Sequence, residues 1–281
     1  MEEDRRFQDR VAVVTAGGGA ICGAVSRRLA SSGARVAVWD LDHHAAELVA
    51  GSIRDTGGAA LACGCDCSDP DSVRSALRLT VDTIGRPSLL VNGAGGSRRQ
   101  TTTASDLPFP DIDPEQIDVT MRLNYRTTVV TSQIVVEEML GQRSPSTGNT
   151  RPAGSIVNVA SVAGLLPLSR ATTYSDGKAA VVSFTRWLAV HLAREHGATI
   201  RVNAVAPGFV LTEQNRFLLV DENTGRPTDR GRDVLSAVPM GRYGSPDEIA
   251  EAVVWLLCDG AAFVTGSVLT IDGGFTADSG V

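Results

Sequence analysis

Short apolar segments alternate with amphipathic stretches along the chain, which is typical of a parallel sheet covered by helices on both faces. Seven apolar segments are predicted to form strands: RVAVVTA, ARVAVWD, AALACGCD, SLLVNGAG, GSIVNVAS, ATIRVNAVAPG and SVLTIDGG. Helical periodicity marks the stretches between them, including AVSRRLASSG, DPDSVRSALRLTVDTIG, VVSFTRWLAVHLAREHG and SPDEIAEAVVWLLCDG. The pattern therefore predicts an α/β fold in which residues 1–281 form a single doubly wound domain.

Two stretches interrupt this alternation. Residues 141–154, GQRSPSTGNTRPAG, are rich in Gly, Ser, Pro and Thr and are predicted to form an exposed loop. Residues 212–239 fall between the sixth strand and the last long helix, where a segment would cover the strand ends, so we expect a substrate lid there. The last long helix is predicted to begin with Ser245 as its N-cap and Pro246 in the first helical position.

Composition and charge limit the classes of partner. The chain has 281 residues, 43% hydrophobic and 21% charged, as in an ordinary globular protein. Its net charge of −6 gives no reason to expect nucleic acid or an anionic membrane as a partner. No apolar run approaches the ~20 residues of a membrane span, and the N-terminal MEEDRRFQDR lacks the apolar core of a signal peptide. We expect a cytoplasmic protein with a small-molecule substrate.

The cysteines and histidines do not indicate a metal site. Cys63, Cys65 and Cys67 alternate in LACGCDCSD, which places them on one face if the segment is a strand. A metal site would need a fourth ligand and usually a paired CxxC spacing. Small packing residues in a reduced compartment are the favoured interpretation. His43 and His44 are expected at an exposed helix start.

A possible catalytic pair lies in YSDGK, where Tyr174 and Lys178 are four residues apart and share a helix face. A free tyrosine titrates near pH ~10. A neighbouring ammonium favours the phenolate, so we expect Lys178 to lower the pKa of Tyr174 and make it a usable acid or base. The pair alone is weak evidence. Ser161 ends an apolar strand thirteen residues upstream of Tyr174, and Asn124 is a further polar candidate.

A glycine-rich turn, VVTAGGGAICGAV, joins the first predicted strand to a helix and suits a dinucleotide pyrophosphate. Asp40 ends the second strand about twenty residues later. A carboxylate there can accept both adenosine-ribose hydroxyls and would repel a 2′-phosphate, which favours NAD(H), although NADP(H) is not excluded. The alternative is that Asp40 only caps the next helix.

These elements together resemble the short-chain dehydrogenase/reductase superfamily over nearly the whole chain. The matching features are the glycine turn, Asp66, Asn92-Gly93-Ala94-Gly95, Asn124, Ser161, Tyr174 and Lys178, Pro207-Gly208 with Thr212, and Asp272-Gly273-Gly274. The resemblance implies a Rossmann-type domain and an NAD(P)-dependent enzyme that interconverts a secondary alcohol and a ketone. Relatives are usually tetramers, so a homotetramer is expected.

The resemblance also implies roles for individual residues. Tyr174 exchanges a proton with the substrate oxygen, Ser161 hydrogen-bonds that oxygen, Lys178 binds the nicotinamide ribose, and Asn124 holds a water in a proton relay, while hydride passes between nicotinamide and substrate. The implied cofactor contacts are Thr15, Gly17, Gly18, Gly19, Ile21, Asp40, Leu41, Asp66, Cys67, Asn92, Gly93, Ala94, Tyr174, Lys178, Pro207, Gly208, Val210 and Thr212.

The glycine turn departs from the superfamily pattern TGxxxGxG, because in one alignment Ala16, Ala20 and Cys22 occupy the three glycine positions. A shift of one residue places Gly17 and Gly23 correctly but leaves Ile21 at the middle position, so neither alignment restores the full pattern. A methyl group costs about 1 kcal/mol where the φ angle is compatible and more where it is not. The three consecutive glycines, 17–19, keep the turn flexible. We therefore expect a dinucleotide to bind with weakened affinity.

Within the superfamily, the chain resembles the D-mannonate oxidoreductase (fructuronate reductase)-like enzymes in TAGGGAIC, VNGAGG, WLAVHLA, APGFVLTEQNR and DGGFTADSGV. This implies a sugar-acid substrate, with Asn215, Arg216 and Arg98 as candidate contacts because arginine forks suit carboxylates and amides suit hydroxyls. Two alternatives remain open. One is the same chemistry on a 3-oxoacyl thioester, a simple sugar or another ketone. The other is a non-catalytic nucleotide-binding sensor.

Overall fold

The computed structural model describes residues 6–141, 154–212, 216, 219–221 and 224–278. The sheet has seven parallel strands in the order β3-β2-β1-β4-β5-β6-β7. The strands are β1 (Val11–Thr15), β2 (Arg35–Asp40), β3 (Ala59–Gly64), β4 (Leu89–Asn92), β5 (Gly154–Val159), β6 (Ile200–Pro207) and β7 (Val268–Ile271). The predicted fold, a single α/β domain around a seven-stranded parallel sheet, is confirmed.

The helices that the structure describes cover both faces of this sheet. They are α1 (Ala20–Ser31), α2 (His43–Asp55), α3 (Pro70–Ile84), α4 (Pro114–Met121), α5 (Thr127–Gly141), α6 (Thr172–Glu195), α7 (Asp229–Ala237) and α8 (Pro246–Leu257). One turn of π-helix, Arg122–Arg126, joins α4 to α5. None of the described helices is both long and apolar enough to cross a membrane.

Two hydrophobic clusters lie on opposite faces of the sheet because neighbouring side chains of a strand point in opposite directions. In β1, Ala12 and Val14 pack into the cluster that contains buried residues of α1, α2 and α8. Val13, between them, packs into the cluster formed with α3, α5 and α6. Strands buried on both faces explain the nearly continuous apolar runs of the sequence.

The strand order reverses direction in the middle of the sheet. From β1 the chain moves outward to β3, and it then returns to β4 on the other side of β1. The loops that follow β1 and β4 therefore leave a crevice at the carboxyl ends of these two strands. In open α/β sheets, ligands bind at this point.

Local predictions agree with the structure to different degrees. Ser245 caps α8 as predicted: its hydroxyl accepts the Glu248 N–H at 3.3 Å, and the Glu248 carboxylate accepts the Ser245 N–H at 2.8 Å. The strand β3 ends at Gly64, so Cys65 and Cys67 lie beyond it, although both are buried in the same cluster as Cys63. Residues 142–153 of the predicted exposed loop lie outside the described residues.

Candidate active site

Most of the residues expected at the site gather at the carboxyl edge of the sheet. Thr15, Asp40, Asn92 and Pro207 are the last residues of β1, β2, β4 and β6. Ser161 follows β5 by two residues. Because the strands are parallel, all of these residues lie on the same side of the domain.

The helix after the glycine turn begins without a capping side chain. Gly19 is the N-cap of α1, no side chain accepts from its first turn, and that turn contains no acidic residue. Several other helices begin at a capping side chain, namely Asp42, Asp69, Asp113, Thr228 and Ser245. The first N–H groups of α1, together with the helix dipole, thus form a site suited to an anion such as a pyrophosphate.

Close packing explains why the turn consists of small residues. A Cβ atom on Gly17 would lie 2.6 Å from a Val38 methyl, and one on Gly18 would lie 2.6 Å from Ala45 Cβ. Ala16, at the first glycine position of the superfamily pattern, has φ of 50° and is therefore in the left-handed region that favours glycine. Ala20 begins α1 and is exposed, so its methyl group is compatible with the turn.

The Asp40 carboxylate lies against the glycine turn. One oxygen accepts the Gly18 N–H at 3.0 Å and the other accepts the Asp42 N–H at 3.0 Å. The cap of α2 is Asp42, which accepts the N–H groups of His44 and Ala45. The alternative interpretation, in which Asp40 caps this helix, is therefore wrong.

The two side chains of the YSDGK pair lie in the first two turns of α6. Lys178 is only 4% exposed, and its Nζ donates to the Val159 carbonyl at 2.8 Å. The same nitrogen lies 5.8 Å from the centre of the Tyr174 ring. Ser161 hydrogen-bonds the Tyr174 phenol and accepts the Ala163 N–H at 3.2 Å. The structure thus brings Tyr174, Lys178 and Ser161 together, and their catalytic roles stay predictions.

Burial controls the ionisation of the pair. It raises the pKa of Tyr174 above its usual value, and the hydrogen bond from Ser161 opposes this only in part. Burial also lowers the pKa of Lys178 to about 8. The expectation that the ammonium would lower the pKa of Tyr174 is wrong in this structure, because removal of the phenolate from water dominates and the opposing contribution comes from the Ser161 hydrogen bond.

Asn124 lies in the π-helical turn and is fully buried. Its amide oxygen accepts the Gly96 N–H at 3.0 Å, and its amide nitrogen donates to the carbonyls of Gly96 and Thr120. A Cβ atom on Gly95 would lie 2.7 Å from the Asn124 oxygen and 2.9 Å from Lys178 Nζ. Asn124 therefore holds the loop after β4 next to Lys178, and its relay role stays a prediction.

Thr15 and Asn92 are both buried, and the Thr15 side chain holds a loop of the site in place. The Thr15 hydroxyl accepts the N–H groups of Gly93 and Ala94 at 2.9 and 3.2 Å. This ties the end of β1 to the loop after β4. The Asn92 amide points into the core beneath the sheet.

A buried network of polar side chains surrounds Asn92 and was not predicted from the sequence. The Asn92 amide donates to the Ser132 hydroxyl at 2.9 Å and to the Asn158 amide oxygen at 2.8 Å. Asn158 in turn donates to the Thr185 hydroxyl at 2.8 Å. The network joins β4 and β5 to α5 and α6. Its sequence signal was available, since Asn158 is a polar residue in the middle of an otherwise apolar strand.

The remaining predicted contacts surround the same edge. Gly208 approaches Asp272 so closely that a Cβ atom would lie 2.8 Å from the Asp272 Cα. Asp66 is exposed and accepts the backbone N–H of Ser68. Val210 and Cys67 are buried, Ile21 and Thr212 are half-buried, and Leu41, Arg216 and Gly19 are exposed. Asn215 lies outside the described residues.

Comparisons with known proteins show the family to which the chain belongs. A family model described as enoyl-(acyl carrier protein) reductase matches residues 16–276. An uncharacterised oxidoreductase of Haemophilus influenzae is 33% identical over 99% of this chain and 97% of its own length. The chain belongs to the short-chain dehydrogenase/reductase family. It is accordingly an oxidoreductase of the short-chain alcohol dehydrogenase/ketoreductase type.

Two further relatives of this short-chain dehydrogenase/reductase have more specific descriptions. A D-threitol dehydrogenase of Mycolicibacterium smegmatis is 33% identical over 97% of this chain and 95% of its own length. A crystal structure from Haemophilus influenza, provisionally described as a D-mannonate oxidoreductase and containing bound NAD, superposes with a TM-score of 0.88. It is 33% identical and covers 98% of both chains.

Proposed function

We propose that the protein is an NAD(H)-dependent oxidoreductase that interconverts a secondary alcohol and a ketone on a sugar acid of the D-mannonate/D-fructuronate type. The convergence of Tyr174, Ser161 and Lys178 at the carboxyl edge of the sheet carries the proposed chemistry. The likeness to the structure described as a D-mannonate oxidoreductase supports the sugar-acid substrate. Two of the three departures in the glycine turn, Ala20 and Cys22, fit the observed backbone, and the strain at Ala16 still leaves the N-terminus of α1 uncapped and able to receive an anion.

The site fits a dinucleotide at two points. The uncapped N-terminus of α1 would hold the pyrophosphate, and Asp40, at the end of β2, would accept the adenosine-ribose hydroxyls. The remaining contacts would come from the loops after the other strands, including Asp66, Cys67, Gly93, Ala94, Gly208, Val210 and Thr212. Bound NAD in the related structure supports the choice of cofactor. A nicotinamide supplies or accepts the hydride that no side chain can provide.

The side chains of the site carry out the proton transfer that accompanies the hydride transfer. In the reducing direction, the Tyr174 phenol donates its proton to the substrate oxygen, and the Ser161 hydroxyl stabilises the charge that develops there. The raised pKa of Tyr174 keeps the phenol protonated at neutral pH, which is the form that reduction requires. Lys178, with a pKa of about 8, is still charged at neutral pH and stabilises the phenolate that remains.

A second candidate substrate is a neutral polyol, which the likeness to a D-threitol dehydrogenase favours. The chemistry would be the same, and only the contacts around the substrate would differ. The presence of Asn124, Ser161, Tyr174 and Lys178 together argues against a non-catalytic sensor, since a sensor has no use for a proton donor and its hydrogen-bond partner at this position.

Residues 212–239 are proposed as the lid over the substrate. The described part of this segment is fastened at its far end, where the Met240 N–H donates to the Gly273 carbonyl at 3.0 Å and the Tyr243 hydroxyl donates to the Gly231 carbonyl at 3.1 Å. Arg216 and Asn215 belong to this segment and are proposed to contact substrate. A cytoplasmic homotetramer is the proposed working form.

Two measurements test the proposed function together. Titration of the protein with NADH, followed by nucleotide fluorescence, reports cofactor binding. Consumption of NADH with D-fructuronate and with a small panel of other ketones reports turnover. We expect binding and turnover with fructuronate. Binding without turnover of any ketone would instead favour the sensor.

A further inference from the structure

The arginines near the site differ in whether a carboxylate already neutralises them. Asp106 binds Arg99 through both of its oxygens at 2.5 Å, and Asp229 binds Arg232. Arg98 instead donates to the neutral amide oxygen of Gln116, at 3.1 Å. Resting on the proposed function, we propose that Arg98, held by Gln116, binds the carboxylate of the sugar-acid substrate and sets the preference for acids over neutral sugars.

The partial burial of Arg98 indicates that its charge would be stabilised by an anionic ligand. Its side chain is half-buried, and within the part of the chain that the structure describes no carboxylate forms an ion pair with it. A cation that is partly removed from water without an opposite charge costs free energy, and an anionic ligand would offset that cost. Arg99 is exposed and already paired, so it has no such need.

The chain path places Arg98 close to the reacting groups. Gly95 lies so near the site that a Cβ atom on it would be 2.9 Å from Lys178 Nζ, and Arg98 is three residues further on. Three residues span at most about 11 Å, so the Arg98 backbone lies within that distance of Gly95. On its other side, the segment is fastened to the start of α6, because Thr102 bridges to Ala171, three residues before Tyr174.

Several contacts fix the orientation of Arg98. Its carbonyl accepts the hydroxyl of Thr102 at 2.8 Å and that of Thr101 at 3.4 Å. Gln116, on α4, takes one N–H of the guanidinium. The planar guanidinium carries five N–H donors, so this contact leaves others for the two oxygens of a carboxylate. Gln116 is thus a positioning residue for Arg98.

The test compares D-fructuronate with D-fructose, which carries a hydroxymethyl group in place of the carboxylate. The kcat/KM for each is measured in the wild type and in Arg98→Gln. We expect fructuronate to lose about 10- to 100-fold, the range for a lost charge-assisted hydrogen bond, while fructose changes little. Gln116→Glu should give the same pattern without removing Arg98, because a carboxylate at 116 would occupy the guanidinium.

Arg99→Gln is the matched control, since it removes the same charge from the adjacent residue. It should leave the ratio of kcat/KM for fructuronate to kcat/KM for fructose within about threefold of the wild-type ratio. If the wild type does not prefer fructuronate, the sugar-acid proposal fails and the role of Arg98 fails with it. If the wild type prefers fructuronate and Arg98→Gln keeps that preference, only the role of Arg98 is overturned. Equal losses with both sugars would also overturn it, because they would indicate general damage to the site.

Discussion

The sulfur of Cys22 occupies the space that a side chain at position 93 would need. A Cβ atom on Gly93 would lie 2.0 Å from Cys22 Sγ but 3.5 Å from Cys22 Cβ. Cys22 is buried in the first turn of α1, and burial raises the pKa of its thiol to about 12, so it is a packing group at neutral pH. The cysteine at position 22 therefore fits because position 93 is a glycine.

This complementarity predicts a strong coupling between the two positions. Gly93→Ala should reduce the free energy of unfolding by about 1–3 kcal/mol, as is usual for overpacking. In a Cys22→Ala background the same substitution should cost at least about 1 kcal/mol less, because the sulfur is gone while the Thr15 carbonyl, 2.8 Å from the new Cβ, still opposes it. Urea unfolding of the four proteins measures the coupling; additive effects would exclude a shared space.

The glycine turn gives a second prediction, in which two alanine-to-glycine substitutions change the stability of the protein in opposite directions. Ala16→Gly should stabilise the protein by about 0.5–1 kcal/mol, since φ of 50° strains an alanine. Ala20→Gly, the matched control, should destabilise it by up to about 1 kcal/mol, because Ala20 is helical and exposed. Thermal unfolding of both variants measures the two changes in stability. A loss of stability in Ala16→Gly would show that the alanine is not strained at this position.

The buried ammonium of Lys178 predicts a pH-dependent stability. Its pKa falls from 10.5 to about 8 on folding, so below about pH 8 both states are protonated and the burial cost is constant. Above that pH the native state loses the proton first, and stability rises as long as the unfolded state keeps its own. The free energy of unfolding of the wild type, relative to that of Lys178→Met, should rise by about 1 kcal/mol between about pH 7 and about pH 9. Urea unfolding at the two pH values measures this change. A constant difference would mean that Lys178 titrates normally.

An apolar groove between α5 and α6 predicts the assembly of the protein. Trp187 is 58% exposed beside a groove of about 800 Å³ that Phe184 and Val136 also line. Burial of this face against a second copy would form a dimer, which is one of the interfaces that the expected tetramer needs. Trp187→Glu should lower the mass measured by light scattering, while Leu48→Glu, at an equally exposed position on α2, should not. A monomeric wild type would refute the tetramer.

The sequence predicted the fold because strands buried on both faces leave continuous apolar runs, and it predicted the edge at which the site residues meet because parallel strands end together. Ser161, Tyr174 and Lys178 are the clearest case. The sign of the pKa shift of Tyr174 was not predictable, because it depends on burial of the phenol by residues distant in sequence.

Other features depend on three-dimensional contacts that no local pattern records. Three examples are the π-helical turn that holds Asn124, the contact between Cys22 and Gly93, and the ion pair of Arg99 with Asp106. In each case the distance in sequence does not indicate which residues lie next to one another in the fold. Helix starts were more predictable, because a cap such as Ser245 depends on neighbouring residues alone.

The assignment of Tyr174 as the proton donor is tested by a comparison of Tyr174→Phe with the wild type in two assays, NADH affinity by fluorescence titration and turnover of D-fructuronate. The phenol hydroxyl is assigned to proton transfer, and Tyr174 is only one of many proposed contacts to the dinucleotide. We expect turnover to fall by at least about a hundredfold while NADH affinity changes by less than about threefold. Retained turnover, or an equal loss of turnover and affinity, would contradict it.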